Sequence, residues 1–296
     1  MLHDLGGVVV QLDGDEPDPR ADILMRTGDG KGVFPPLFRR QFGWVGGGAD
    51  EVERVADAIA ANPLASRTLA GVLRATEMLP VAEGLVVESL AYSMLLAGHE
   101  FRRWLDGRGP RTPPPAGDEA VLLDRDGDLL TITLNRPDRH NAYAAAVRDA
   151  LVDALEVGLV DPDLRVVVRG AGPSFCSGGD LDEFGTTPDV TAAHLIRTTR
   201  SAGHLLHELG DRLTVEVHGA CIGAGTELSA FGARVVAREG TWFQLPEVAM
   251  GLVPGAGGTV GVTKRIGRHR TAWLALTGER LELDTALAWG LVDERC

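Results

Sequence analysis

Three short stretches of this chain bring together residue types that can do chemistry. The first, SFCSGGDLDEF (174–184), places Ser177, Gly178, Gly179 and Asp180 just after the apolar run RVVVRG. Glycine lets the backbone turn where a Cβ would clash and lets a ligand approach peptide N–H groups, so the stretch is either a backbone trap for an anion or a plain tight turn. The second, GACIGAGTELSA (219–230), follows the alternating LTVEVHG and opens a helix at Gly223, Ala224 and Gly225. Free N–H groups at a helix start attract negative charge. Glu227, on the first turn of that helix, can face the same pocket as the Ala224 N–H, or can be an N-terminal acid favoured by the helix dipole. The third, FQLPEVAMGLVPGAGGT (243–259), is a Pro/Gly-rich loop holding one carboxylate, Glu247, which could equally lie in solvent. Two N–H donors from separate strand-end loops, converging on one oxygen, would form an oxyanion hole for an enolate or a tetrahedral oxyanion. Two carboxylates beside it would do acid–base work or activate one water held between them.

Elements that could position these loops are readable around them. LLTITLN alternates as a strand, RVVVRG reads as a short buried strand, and LTVEVHG and RVVAREG read as two more. Between them lie helical patterns: NAYAAAVRDALVDALEVGLVDP, DVTAAHLIRTTRSAGHLLHELG, GTELSAFGA and VTKRIGRHRTAWLALTG. Strands alternating with helices predict an α/β domain with repeated crossovers over 119–296. Ahead of it, DGRGPRTPPPAGDE is too rich in Pro and Gly to hold a helix, and a linker is expected over 106–118. The region 1–105 reads as helical, with ADEVERVADAIAANP ending at Pro63 and AEGLVVESLAYSMLLAGHEFRRWL as one long run. An apolar stripe of Leu85, Val86, Leu90, Met94 and Leu95 marks that run. In the first fifty residues GGVVVQLDG reads as a short strand and GDGKGVFPP as loop.

Composition narrows the function classes. The 296 residues carry a net charge of −13, a poor balance for general binding to nucleic acid or to an anionic membrane. No apolar run approaches a membrane-spanning length, and MLHDLGGVVVQLDGDEPD has acidic residues where a secretory leader would be basic. Three cysteines, Cys176, Cys221 and Cys296, are an odd number without metal-ligand spacing, which predicts free thiols in a reducing, cytoplasmic compartment and no metal site. Cys176 and Cys221 are expected to pack as small apolar groups, His218 to be structural, and KRIGRHR (264–270) to be an ordinary basic face.

LNRPDRHNAY, SFCSGGDLDEF, GACIGAGTELSA and PEVAMGLVPGAGGT, in this order and spacing, resemble the motifs of the enoyl-CoA hydratase/isomerase, or crotonase, family. The resemblance covers about 119–296. It implies an α/β spiral of ββα units, with an N-terminal helical region in front, that binds an acyl-CoA thioester. It matches Gly179 and Ala224 to the two N–H donors of the oxyanion hole; alanine at the second position is a mild departure that leaves the donor intact. It matches Glu227 and Glu247 to the two glutamates of the hydratases, Glu227 helping to activate water and Glu247 exchanging a proton with C2. It assigns Arg139 and His140 to the CoA phosphates or the pantetheine arm, and Ser177, Gly178, Asp180 and Gly223 to the substrate-holding loops. Leu181, Phe184 and Trp242 are candidate pocket walls. The activity implied is reversible hydration of a 2-enoyl-CoA. Isomerisation, thioester hydrolysis, oxygenation or a non-catalytic acyl-CoA-binding role are the alternatives. No cofactor is expected beyond the coenzyme A that the substrate carries, and a homotrimer or dimer of trimers is the expected assembly.

The chain departs from the family at its end. It stops at GERLELDTALAWGLVDERC, whereas family members continue into helices that cover the active site and build the trimer. ADAIAANPLASRTLAGVLRAT and EGLVVESLAYSMLLAGHEFRRWL at the front resemble those helices. The expectation is therefore a circular permutation, with an unrelated helical extension as the alternative.

Overall fold

In the computed structural model of the chain, residues 2–13, 18–26, 45–46, 49–113, 119–187 and 189–296 are described. GGVVVQLDG does form a strand, and it has neighbours. β1 (Leu2–Leu5), β2 (Val8–Leu12), β3 (Ile23–Arg26) and β4 (Val45–Gly46) lie side by side in that order. The first pair is antiparallel and the other two are parallel. The region expected to be helical over 1–105 thus begins with a small sheet, of which only the GGVVVQLDG strand is read from sequence. Strands this short show no period of their own, and their parallel partners are distant in sequence. GDGKGVFPP and residues 114–118 of the linker lie outside the described residues.

Four helices follow: α1 (Ala49–Ala61), α2 (Pro63–Thr76), α3 (Val81–Leu96) and α4 (His99–Arg108). Pro63 opens α2 where an N–H would have no helical partner. The Glu100 carboxylate accepts from the Leu64 and Ala65 amides, both at 2.9 Å, and so caps α2 from α4. The run read as one helix from 82 breaks at Gly98, and its two halves meet at 63°. α4 extends to Arg108, inside the stretch expected to be linker.

The apolar stripe predicted on α3 is corrected in part: Leu95 is buried and Leu85 packs against the core, as expected. Val86, Leu90 and Met94 are exposed, while Gly84, Glu88, Ser89 and Ser93 face inward. Polar groups are buried there because their partners lie on distant segments. Glu88 meets the 257–259 loop and Ser93 meets Val190.

The remaining elements are β5 (Val121–Asp126), β6 (Leu129–Leu134), α5 (Ala145–Val160), β7 (Arg165–Gly170), α6 (Val190–Thr199), α7 (Ala202–Leu209), β8 (Leu213–Val217), β9 (Ala220–Ile222), α8 (Ala224–Ser229), β10 (Arg234–Ala237), β11 (Trp242–Gln244), α9 (Gly258–Ile266), α10 (Arg268–Thr277), β12 (Leu281–Glu282), α11 (Leu283–Trp289) and β13 (Glu294–Arg295). Six strands form one sheet in the order β13-β10-β8-β7-β6-β5, parallel except for the β5–β6 hairpin. Three form a second sheet in the order β12-β11-β9. The chain passes from the large sheet to the small one and into a helix, as in β8-β9-α8 and again in β10-β11-α9. This is the expected α/β spiral of ββα units. On β7 and β8 alternate residues are buried, so Val166 and Val168, and likewise Leu213, Val215 and Val217, point to the packed face and sit in the core.

Two of the predicted helices are each broken in two. Ser201 caps α7 through the His204 amide, and Gly267, at φ +81°, separates α9 from α10. The basic face expected at KRIGRHR is solvated only in part, at the exposed Lys264. Arg268 and Arg270 are buried, and Arg268 donates to the carbonyls of Ala21 (2.6 Å) and Pro19 (3.2 Å) and pairs with Glu77. Arg268, with His269 on Asp22 O (3.1 Å), ties the N-terminal sheet to the core.

Candidate active site

The two glycine-bearing loops are held against each other by backbone pairing. Cys176 and Cys221 bridge in parallel, with the Cys176 amide donating to Ala220 O (3.3 Å) and the Ile222 amide to Cys176 O (3.0 Å). Both thiols are buried and free, and burial pushes the Cys176 thiol up to about 12, so neither is a nucleophile. The first loop is also pinned to 143. The Tyr143 amide donates to Gly178 O (2.7 Å) and the Asp180 amide to Tyr143 O (3.3 Å). Gly179, between these bonds, keeps its own N–H free of any protein acceptor among the described residues. Ala224 is the first residue of α8, where an amide has no helical partner. Gly223, by contrast, donates to Gln244 O. The free donors are therefore Gly179 and Ala224, one from each loop.

Both line a cavity of about 380 Å³ that Glu227 and Glu247 also line. Glu227 Oε2 accepts from the amides of Ala256 (2.7 Å) and Gly258 (2.8 Å), which fix the carboxylate. Burial nevertheless raises its pKa to about 7. Glu247 is likewise raised well above the usual carboxylate range, by burial and then by the field of Glu227. Its Oε2 is enclosed and has no protein partner among the described residues. Its Oε1 lies over Gly223, where an added Cβ would stand 2.5 Å away. With φ at +48° as well, that position excludes any other residue without strain.

The remaining expected site residues support the loop. Arg139 donates to Asp180 (2.7 Å) and Asp182 (2.8 Å), so its charge is balanced by two carboxylates. Asp180 is buried and lines the cavity beside Gly179. His140 Nδ1 bonds Ser174 Oγ (2.7 Å), and its carbonyl accepts the Ser177 amide (3.0 Å). His218 bonds Gly172 O. Of the three candidate wall residues Phe184 lines the cavity. Leu181 is half exposed, and Trp242 stacks under Arg280 instead.

Sequence reading missed what the N-terminal block contributes. Tyr92, Leu96, Phe101, Arg102 and Leu105 form one wall of the cavity, and Phe101, Trp104 and Phe184 make a ring cluster that joins α4 to the first loop. Tyr92 packs so closely on Gly255 that no Cβ fits there. Glu88 accepts from the Gly257 amide (2.7 Å), the Thr259 amide (2.8 Å) and Thr259 Oγ1 (2.7 Å). The amides of 256–259 thus alternate between Glu227 of the core and Glu88 of α3. Burial and the Glu227 charge raise Glu88 to about 8. A glutamate inside an apolar helical run was the one sequence signal for it.

Residues 124–296 match the family described as Enoyl-CoA hydratase/isomerase. The chain belongs to that family. It is 34% identical over 175 residues to the 2,3-dehydroadipyl-CoA hydratase of Escherichia coli (strain K12), covering 59% of this chain and 68% of the relative. It is 28% identical to the trans-2-decenoyl-[acyl-carrier-protein] isomerase of Streptococcus mutans, over 60% of this chain and 69% of that one. The crystal structure of an enoyl-CoA hydratase from Mycobacterium smegmatis superposes with a TM-score of 0.55 at 30% identity, covering 60% of this chain and 69% of its own. This family member has a hydratase-like acyl-CoA site, with isomerisation as the other chemistry its relatives display.

Proposed function

We propose that the enzyme reversibly adds water across the double bond of a 2-enoyl-CoA thioester. The observation that carries this reading is that two free amides and two buried carboxylates bound one cavity. The thioester oxygen accepts from the Gly179 and Ala224 amides, which stabilise the enolate as charge moves onto it. A water held between Glu227 and Glu247 attacks C3, giving up a proton to an ionised carboxylate. The carboxylic acid of the pair delivers a proton to C2. One O–H bond of water is broken, and one C–O and one C–H bond are formed. Carboxyl pKa values raised to about 7 and above suit this work, since one group can be ionised while its neighbour keeps its proton. No electron leaves the substrate, so no cofactor is needed beyond its own coenzyme A. Isomerisation would need one carboxylate alone and would leave the second, buried at some cost, without a task.

The N-terminal helices act as the family's displaced cover. Their contribution to the cavity wall supports this, as does the third of each relative's length left unmatched. The exposed Val86, Leu90 and Met94 on α3, with the exposed Leu195 and Ile196 on α6, which packs against α3, support a homotrimer or dimer of trimers assembled through this cover. Free thiols at Cys176, Cys221 and Cys296 fit a reducing compartment. A panel of 2-enoyl-CoA thioesters, followed by loss of enoyl absorbance and by mass, tests the reaction. Hydration adds one water, roughly 18 Da, and isomerisation adds nothing.

A further inference from the structure

The cavity wall near the oxyanion donors is apolar, with Leu96, Phe101, Leu105 and Phe184, and a plain alkyl chain would need nothing else. The cavity also reaches Arg148 and Arg197. These two, with Tyr143, Gly255 and Ala256, are shared with a smaller adjoining chamber of about 40 Å³ that Gly179, Ala224 and Glu247 do not line. The arginines therefore stand past the reacting end of the cavity.

We propose that this inner end is a carboxylate subsite in which Arg197 receives an anionic group at the far end of the acyl chain, so that the substrate is a 2-enoyl-CoA whose chain ends in a carboxylate. The claim about turnover rests on the hydratase reading; the claim about binding stands without it.

The surroundings of Arg197 single it out. Its Nε donates to Ser89 Oγ (3.1 Å) and its Nη2 to Ser93 Oγ and Ser89 O, and the guanidinium lies 4.7 Å from the centroid of the Tyr92 ring. Every one of these partners is neutral. No carboxylate of the described residues lies within 4.0 Å of it, whereas Arg148 has Asp149, and Arg200 has Asp149 and Asp153. Glu88 faces the same chamber but spends both oxygens on Gly257 and Thr259. Burial lowers the pKa of Arg197, the fields of Tyr92 and of Glu88, which lies beyond ion-pair distance, oppose it, and the Arg148 charge adds to the lowering; a guanidinium stays ionised in proteins throughout. With Nε and Nη2 held by hydroxyls and a carbonyl, this partly buried cation keeps Nη1 for a charge-assisted bond to a carboxylate. The same charge penalises an alkyl terminus, which would desolvate the cation without pairing it. Serines, in place of the apolar residues a helix would otherwise bury, hold the group in that attitude from the cover helix.

The test is calorimetric binding of three saturated acyl-CoA thioesters of one chain length to the intact protein: one ending in methyl, one in carboxamide and one in carboxylate. The wild-type chain should bind the carboxylate about 10-fold or more tighter than the carboxamide, the usual worth of a charge-assisted pair. In folded Arg197→Leu that ratio should fall to about one. Equal affinities in the wild type, no binding of any of the three, or a preference that persists in Arg197→Leu would overturn the proposal. The carboxamide comparison needs no variant and stands if Arg197→Leu fails to fold. Kinetics on the matching 2-enoyl thioesters separate the two readings. Carboxylate preference without water addition leaves the subsite and removes the hydratase. Hydration of the methyl-ended chain without any carboxylate preference leaves the hydratase and removes the subsite.

Discussion

The oxyanion loops and the N-terminal cover meet in one cavity but are built in opposite ways. Each loop carries its donor within a dozen residues, and a strand end, a glycine turn and a helix start aim the amide. The cover contributes through bonds between segments far apart, such as Glu88 to Thr259, 171 residues distant. Its helix α3 buries Glu88, Ser89 and Ser93 and exposes Leu90 and Met94, the reverse of an ordinary surface helix. The reacting groups are thus local features of the core, while the setting of their charges is shared with a part of the chain that carries none of the motifs.

Ala224→Pro should break the local half most severely, because it deletes the N–H itself. A folded variant should lose about 10²- to 10³-fold in kcat; full activity would put the second donor elsewhere. Gly223→Ala tests the same loop from the side of Glu247. The new Cβ falls 2.5 Å from Oε1 and the φ of +48° becomes strained, so kcat should drop by about 10²-fold with a smaller change in KM. Unchanged kcat would mean that the position of Glu247 does not limit the reaction.

Glu88→Ala probes the long-range half and should do less, about 10-fold in kcat, since the loop keeps its bonds to Glu227. Its signature is in pH. The acid limb of kcat/KM rises near pH 7 as Glu227 ionises, and the alkaline limb falls as Glu247 loses its proton. Glu88 raises Glu247, and removing that negative field should move the alkaline limb to lower pH. Stability carries the same sign. Carboxyls raised on folding keep protons that the unfolded chain releases, so stability falls as pH rises from 4.5 through about 8, and the variant should lose less across that window. An unmoved alkaline limb would reduce Glu88 to a helix cap.

How much of this was legible follows the same division. Four strands of the large sheet, β6, β7, β8 and β10, with the two loops, Glu227 and Glu247, could be read because period, glycine turns and carboxylates sit in contiguous windows. β9 and β11 are three residues long and β12 and β13 two, too short for any period to show. Helix breaks at Gly98, Ser201 and Gly267 were passed over because the apolar spacing on either side continues through them. Arg268 reads as surface charge and is buried, since its acceptors, the carbonyls of Pro19 and Ala21, leave no trace in side-chain types. Tyr92 and Arg197 were missed because nothing nearby in sequence announces the cavity they line, and the role of Glu88 because its partners, Gly257 and Thr259, are distant in sequence.

The central claim is that Glu227 and Glu247 act on one water as a unit, and a double-mutant cycle tests it most directly. Hydration rates would be measured for the wild type, Glu227→Gln, Glu247→Gln and the double variant, each shown to be folded. Each single change should lower kcat by about 10²-fold or more, and the double variant should lose far less than the product of the two, because a second loss removes little from a unit already broken. Losses that multiply, or near-normal hydration in either single variant, would contradict the account.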